Sequence, residues 1–339
     1  MMTTRRTVLL SSLAAPLARP ALAQPRPVVR VQTIGGAIEK TLREDVIPGF
    51  EKQHNMEVSL IVEDDVTILP KLQIARSRAP YDVCFMDHDK ALLGADMGVW
   101  ALDQSANLKN IGAIYASCKP PATGHYAVFV LEYPLVYNTE IIKTAPASWS
   151  DLWTPGMKVA VPHVSQAYGL TFLYIAALLN GGSATNLEPG YAAIKRLGNF
   201  KIYRSVSQGL ALFQQKEVDA GLFYAHRAQS MLESGIPVAR TTPKEGTWGI
   251  RTGIQIPKAT ANMEGALAWT DTMLAAPAQE ALAKSLYAPT NRNTVFPPEQ
   301  AKRLILGEKT IDAIRELPWK DILPQRDAIL DRWNREFGT

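Results

Sequence analysis

Cysteine is nearly missing from this chain: Cys84 and Cys118 are the two it has in 339 residues. That excludes the disulfide framework on which small secreted folds depend. Cys84, inside the strand-like YDVCFM, reads as a small buried hydrophobe, and a bridge to Cys118 is permitted but not required. Long apolar runs are missing too. No internal stretch reaches the ~20 apolar residues of a membrane span, so the protein is expected not to be membrane-inserted. No cluster of Lys and Arg could track a phosphate backbone, which argues against nucleic acid as a partner. The common catalytic and cofactor signatures are also absent: no G-x-S-x-G, H-E-x-x-H, C-x-x-C, Walker loop or G-x-G-x-x-G. No cofactor is therefore expected, and an exported α/β enzyme stays open only as a rival without a recognisable nucleophile turn.

What the chain does have is 47% hydrophobic and 20% charged residues, the balance of a soluble globular protein. Its length suits roughly two lobes of ordinary domain size. The first 23 residues read differently from the rest. Arg5 and Arg6 precede an apolar stretch from Val8 to Leu17 and the small-residue site Ala21-Leu22-Ala23, the pattern of an export signal cut near Ala23. The paired arginines resemble a twin-arginine signal, although ordinary secretory signals also begin with basic residues. No Cys stands at the cleavage site, so no lipid anchor is expected. Removing this segment takes away Arg5, Arg6 and Arg19 and lowers the formal charge from +4 to about +1.

Strand-like and helix-like patterns alternate nearly throughout, which predicts an α/β protein. VVRVQTI is a strand, and Gly35 and Gly36 open a helix whose apolar face is Ile38, Leu42, Val46 and Phe50. EVSLIVE and YDVCFMD continue the first unit. KVAVPH, the helical SQAYGLTFLYIAALLNGG closed by Gly181, KIYRS and DAGLFYAH form a second. The long strand-like segments 125–138 and 247–257 are the expected passages between lobes. Ligands of such sheets bind beyond the carboxyl ends of the strands.

Five segments in this order, YDVCFMDHDKALLGADMGVWALD, LVYNTEIIKTAPASWSDLWTPGMKVAVP, LALFQQKEVDAGLFY, PKEGTWGIRTGIQIPK and YAPTNRNTVFP, resemble a periplasmic solute-binding protein of an ABC importer, in the branch of the spermidine/putrescine binders. The resemblance implies a type II periplasmic binding fold: two α/β lobes, hinge strands, and a ligand cleft between them. It places the first lobe at residues 24–131 with about 254–300 and the second at 132–253 with about 301–339, after the signal at 1–23. It further implies a monomeric periplasmic protein that hands a small-molecule solute to an ABC transporter permease.

The residues at the expected ligand positions do not suit a polyamine. Polyamine binders carry acids after the strand that follows SWSDLW and in the hinge strand. Here those places read His163, Ser165 and Gln166, and Thr252 beside Arg251. A cationic amine in a closed cleft needs carboxylates to replace its water. Arg251 in TWGIRTGIQIP instead offers a planar fork for a carboxylate or phosphonate. Three predicted helix starts, at Gly35-Gly36, Ser165-Gln166 and Ser207, add backbone N–H groups for an anion, and Tyr224 and Arg227 add a second contact. The expectation is thus an anionic solute, with Arg251 unpaired until the solute arrives. Alternatives remain: Arg251 paired with Glu132 or Glu63 in the hinge, Arg227 on an exposed helix face, and Tyr133, Tyr137, Trp149 and Trp153 as packing residues. Asp87, His88 and Asp89 in MDHDK either cap a helix, hold the ammonium of a zwitterion, or ligate a metal. The histidines show no paired ligand spacing, and the adjacent tyrosines of iron-binding relatives are reduced here to Tyr224 followed by Ala225.

Overall fold

The computed structural model describes residues 26–63, 67–75, 77–119 and 123–338. The expected export signal at residues 1–23 lies outside them. In chain order the strands are β1 (Val28–Thr33), β2 (Glu57–Val62), β3 (Val83–Asp87), β4 (Tyr126–Tyr133), β5 (Leu135–Asn138), β6 (Val159–Pro162), β7 (Phe200–Tyr203), β8 (Ala220–Leu222), β9 (Val238–Thr241), β10 (Trp248–Gln255) and β11 (Ala288–Pro289).

They form two sheets, each covered by helices. The first has the order β11-β4-β10-β3-β1-β2 and the second β7-β6-β8-β5-β9. In the first, β1 pairs in parallel with β2 and β3, while β10 runs antiparallel to β3 and β4. In the second, β6 pairs in parallel with β7 and β8, and β5 is antiparallel to β8 and β9. The mixed pairing follows from the connections: helical crossovers yield parallel neighbours, whereas the strands that pass between lobes return antiparallel.

Local sequence explains the helices around the cleft. Ile38, Leu42, Val46 and Phe50 recur every fourth residue and are all buried, so one helical stretch from Ala37 to His54 is pressed onto the first sheet. The helix Ala167–Leu179 is apolar nearly all round and lies deep in the second lobe's core. Its first turn packs against the end of β6. A Cβ on Gly169 would stand 2.0 Å from the carbonyl oxygen of His163, so this close approach requires glycine. Past the helix end, Gly181 takes φ 80° and the N–H of Gly182 bonds to the carbonyl of Ala177 at 2.8 Å.

Among the described residues, three crossings join the lobes. The first is the anticipated strand at 125–138, broken at Pro134, with β4 in the first sheet and β5 in the second. The return falls in 242–247, just before β10 rather than within it. Strand β10 pairs only in the first sheet, although Trp248 and Ile250 pack into the second lobe's core. The third crossing lies near the C-terminus: Ile311 and Ile314 pack in the first core, and Leu317, Trp319 and Trp333 in the second. Residues 304–314, expected in the second lobe, therefore pack with the first. Their apolar side chains meet helices that the intervening sequence had already laid against the first sheet.

Candidate functional site

A cavity of about 380 Å³ opens between the two sheets at the carboxyl ends of their parallel strands. From the first lobe, Ile34 follows β1, Asp87 ends β3, and Ile38, Lys90, Phe129, Leu131, Thr252 and Tyr287 complete the wall. From the second, Ser165, Gln166 and Ala167 follow β6, Val206 follows β7, and Tyr224, His226 and Arg227 follow β8. Arg326, at the start of the last helix, closes one side. A wider cavity, about 530 Å³ around Leu72, Met97 and Lys258, lies at the amino end of β3, on the opposite rim.

Arg227 is the informative side chain. It is half-buried, it faces the cavity, and its Nε is buried without a hydrogen-bond partner. No carboxylate pairs with its guanidinium among the described residues. The other two cations of the wall have acids beside them. Lys90 Nζ stands 3.5 Å from Asp89 and 3.9 Å from Asp87, and Arg326 Nη1 stands 3.9 Å from Asp89. Asp87 is the N-cap residue of the helix His88–Asp96, but its side chain makes no cap bond; its Oδ1 accepts the Thr252 hydroxyl at 2.6 Å.

One of the three anticipated helix starts faces the cavity uncapped. Gln166, the N-cap of the long helix Ala167–Leu179, makes no side-chain cap bond, and it lines the cavity with Ser165 and Ala167. At the helix after β7, Ser205 caps its own helix by accepting the N–H of Gln208, and Ser207 is exposed outside the wall. Gly35 and Gly36 sit at the rim, with Ile34 and Ile38 supplying the wall instead. His163 is buried behind the wall, where its Nδ1 accepts the N–H of Ser165 at 3.1 Å and shapes the turn into the helix.

Arg251 corrects the main expectation. It is 5% exposed, is not in the cavity wall, and is not unpaired. Its Nη1 stands 3.5 Å from Glu316 Oε2, its backbone N–H donates to Glu316 Oε1 at 3.0 Å, and its Nη2 donates to the Ile314 carbonyl at 3.4 Å. His88 also points at this acid rather than the cleft, with Nδ1 2.9 Å from Glu316 Oε2. The reason is that β10 is covered on both faces, so a guanidinium on it must bring its own anion. Neither acid considered from sequence serves: Glu132 is held by Thr247 and Arg240, and Glu63 by Lys71 and Tyr81.

Residues 35–280 match the family described as bacterial extracellular solute-binding protein. The chain belongs to that family. Among curated relatives it is similar to the spermidine/putrescine-binding periplasmic protein of Escherichia coli (strain K12), 24% identical over 197 residues. That match covers 57% of this chain and 53% of the relative, so the chain spans about half the length of the curated relatives it matches. Among solved structures it is similar in fold to an ABC transporter structure from Clostridium perfringens ATCC 13124 (TM-score 0.80, 23% identity, 91% of this chain and 99% of the other). The PBP AgtB from A. tumefaciens R10, in complex with agropinic acid, is similar at TM-score 0.66 and 16% identity, covering 92% of this chain and 99% of the other.

The wall of this solute-binding protein also holds Lys90, Phe129, His226, Tyr287 and Arg326, none of which carries a sequence motif that marks it as a ligand contact. Tyr287 opens the YAPTNRN segment, which had served only as a marker; it stacks on Phe129 at 4.5 Å and meets the ring of His226 across the cleft at 5.2 Å. Burial, aided by Arg227, pushes His226 down to about 3, so its ring is neutral at ordinary pH. Tyr133 and Trp149 pack in the second core and Tyr137 and Trp153 against it, all outside the wall. Among the described residues no group of three potential ligands could hold a metal, and no helix is long and apolar enough to cross a membrane.

Proposed function

We propose that this protein binds a small organic anion, a carboxylate or phosphonate, in the interlobe cleft and delivers it to the permease of an ABC transporter. The observation that carries the reading is Arg227, a cleft-facing guanidinium with a buried, unpartnered Nε and no carboxylate partner among the described residues. Such a group is costly to leave unpaired in a closing cleft and matches a carboxylate in two parallel bonds. The uncapped start of the helix Ala167–Leu179 opens into the same space and favours the same charge. Arg251, in this reading, belongs to the hinge rather than the solute.

Solute docking on one lobe and closure of the other about the three crossings would shift the population toward the form a permease recognises. We take the protein to be monomeric and periplasmic, exported through the segment cut near Ala23, and without catalytic activity.

The polyamine reading has the name of the curated relatives in its favour. Against it, Asp87 is the one carboxylate in the wall among the described residues, and it already faces Thr252 and Lys90. A thermal-shift screen against carboxylates, phosphonates, amino acids and polyamines separates the two. Saturation at ~100 times the dissociation constant adds about 2.7 kcal/mol, a shift of several degrees. Stabilisation by spermidine or putrescine and by no anion would sink the proposal; turnover of generic esters or phosphates would displace it with an enzyme.

A further inference from the structure

Resting on that anion reading, we infer that the solute is a monocarboxylate with an apolar, ring-sized body, rather than a dicarboxylate or an amino acid.

The charge pattern of the cleft carries the first half. Three cations face the cavity, Lys90, Arg227 and Arg326, among the described residues. Asp87 stands in the same wall, and Asp89, 1% exposed, lies two residues further on. Lys90 is within 3.5 Å of Asp89 and 3.9 Å of Asp87. Arg326 reaches across the cleft, with Nη1 3.9 Å from Asp89 of the first lobe and Nη2 donating to the Ser165 carbonyl of the second at 3.4 Å. Two positive charges thus have counter-charges supplied by the protein. Arg227 does not, and one guanidinium fork takes one carboxylate. A second negative charge on the solute would have to compete with Asp87 or Asp89 for Lys90 or Arg326. The neighbouring His226 adds no positive charge, because burial keeps it neutral. An ammonium on the solute is disfavoured for the converse reason: the Oδ1 of Asp87 takes the Thr252 hydroxyl and its Oδ2 faces Lys90.

The remaining wall carries the second half. Ile34, Ile38, Phe129 and Leu131 from the first lobe face Val206 and Tyr224 from the second. The Tyr287 ring, stacked on Phe129 at 4.5 Å with 20° between planes, extends this surface to His226. Against these groups the hydroxyls of a sugar or the carboxylates of a small polyacid would lose their own water without a replacement, whereas a ring or branched hydrocarbon body gains from the contact. Burying a phenyl ring there should raise affinity about ten- to hundredfold over a carboxylate without one.

Calorimetric titration of the full chain tests both halves with phenylacetate, acetate, phenylsuccinate, phenylalanine and phenethylamine. The expected order places phenylacetate at least about tenfold tighter than each of the other four. Arg227→Gln should lose about tenfold or more for phenylacetate while melting as the parent does. Acetate as tight as phenylacetate overturns the apolar body. Tighter binding of phenylsuccinate or phenylalanine overturns the single charge but leaves the anion reading standing. Binding of phenethylamine alone overturns both readings. No heat with phenylacetate or any longer phenyl-substituted monocarboxylate at millimolar concentration overturns the inference.

Discussion

Arg251 and Glu316 join a central strand of the first sheet to the last crossing between the lobes. Glu316 accepts the backbone N–H of Arg251 at 3.0 Å through one oxygen and stands 3.5 Å from its guanidinium through the other. The crossing is laid along β10 by backbone bonds as well: Gly249 N–H to the Arg315 carbonyl at 2.8 Å, and Arg315 N–H to the Thr247 carbonyl at 3.0 Å. The pair therefore fixes where the third connection leaves the first lobe. Burial pushes the Glu316 carboxyl up, but His88 and Arg251 outweigh it and hold it below the ordinary carboxylate range.

Replacing Arg251 by Ala should destabilise the fold by about 1.5–3 kcal/mol, because it removes the guanidinium beside Glu316 and leaves that carboxylate to His88 and the backbone N–H of residue 251. Per folded molecule, solute affinity should change little. Denaturant melts and a titration of the folded fraction check this together. Lost affinity with unchanged stability would restore Arg251 to the binding site.

Arg303 and Glu233 should act as an exterior latch. Arg303 Nε and Nη2 meet the two oxygens of Glu233 at 2.5 and 2.6 Å, linking a segment packed on the first lobe to the helix Ala225–Glu233 of the second. Exposed pairs contribute about 0.2–1 kcal/mol, so Glu233→Ala should weaken solute binding by about 1.4- to fivefold. Small-angle scattering of the solute-free variant should show a larger radius of gyration. Identical profiles would mean the pair does not bias closure.

His226 should impose an acid limb on stability. Its folded pKa of about 3 lies below the unfolded value near 6.5, so between these pH values the unfolded chain binds a proton that the folded one refuses. Stability is then fully present above about pH 6.5 and declines as the pH falls toward 3. His226→Gln should flatten that decline in melts across the window; an unchanged slope would refute the assignment.

Gly169→Ala should cost about 1–3 kcal/mol, since its Cβ would stand 2.0 Å from the His163 carbonyl oxygen and 2.8 Å from the backbone nitrogen of Val164. The displaced helix start should also weaken solute binding. Equal melting temperatures for variant and parent would show that the contact relaxes freely.

Much of the architecture was legible in the residues. The four-residue spacing from Ile38 to Phe50, the alternation of strands and helices, and the strand-like segment 125–138 each express a local rule of backbone geometry. So does the placement of Asp87, Ser165, Gln166, Tyr224 and Arg227 at strand ends, which the cleft brings together with Thr252. The partner of Arg251 was not legible, because Glu316 lies 65 residues away on a crossing with no pattern of its own. Nor was Arg326, which enters the cleft only because the last helix packs on the second lobe. Sequence by itself determined which segments are helix or strand and which side chains stand at their ends, since those depend on neighbours a few residues apart. Only the tertiary structure decided which guanidinium is paired and which is not. Pairing depends on distances between segments remote in the chain, and a buried charge is stable only where the fold brings it an anion.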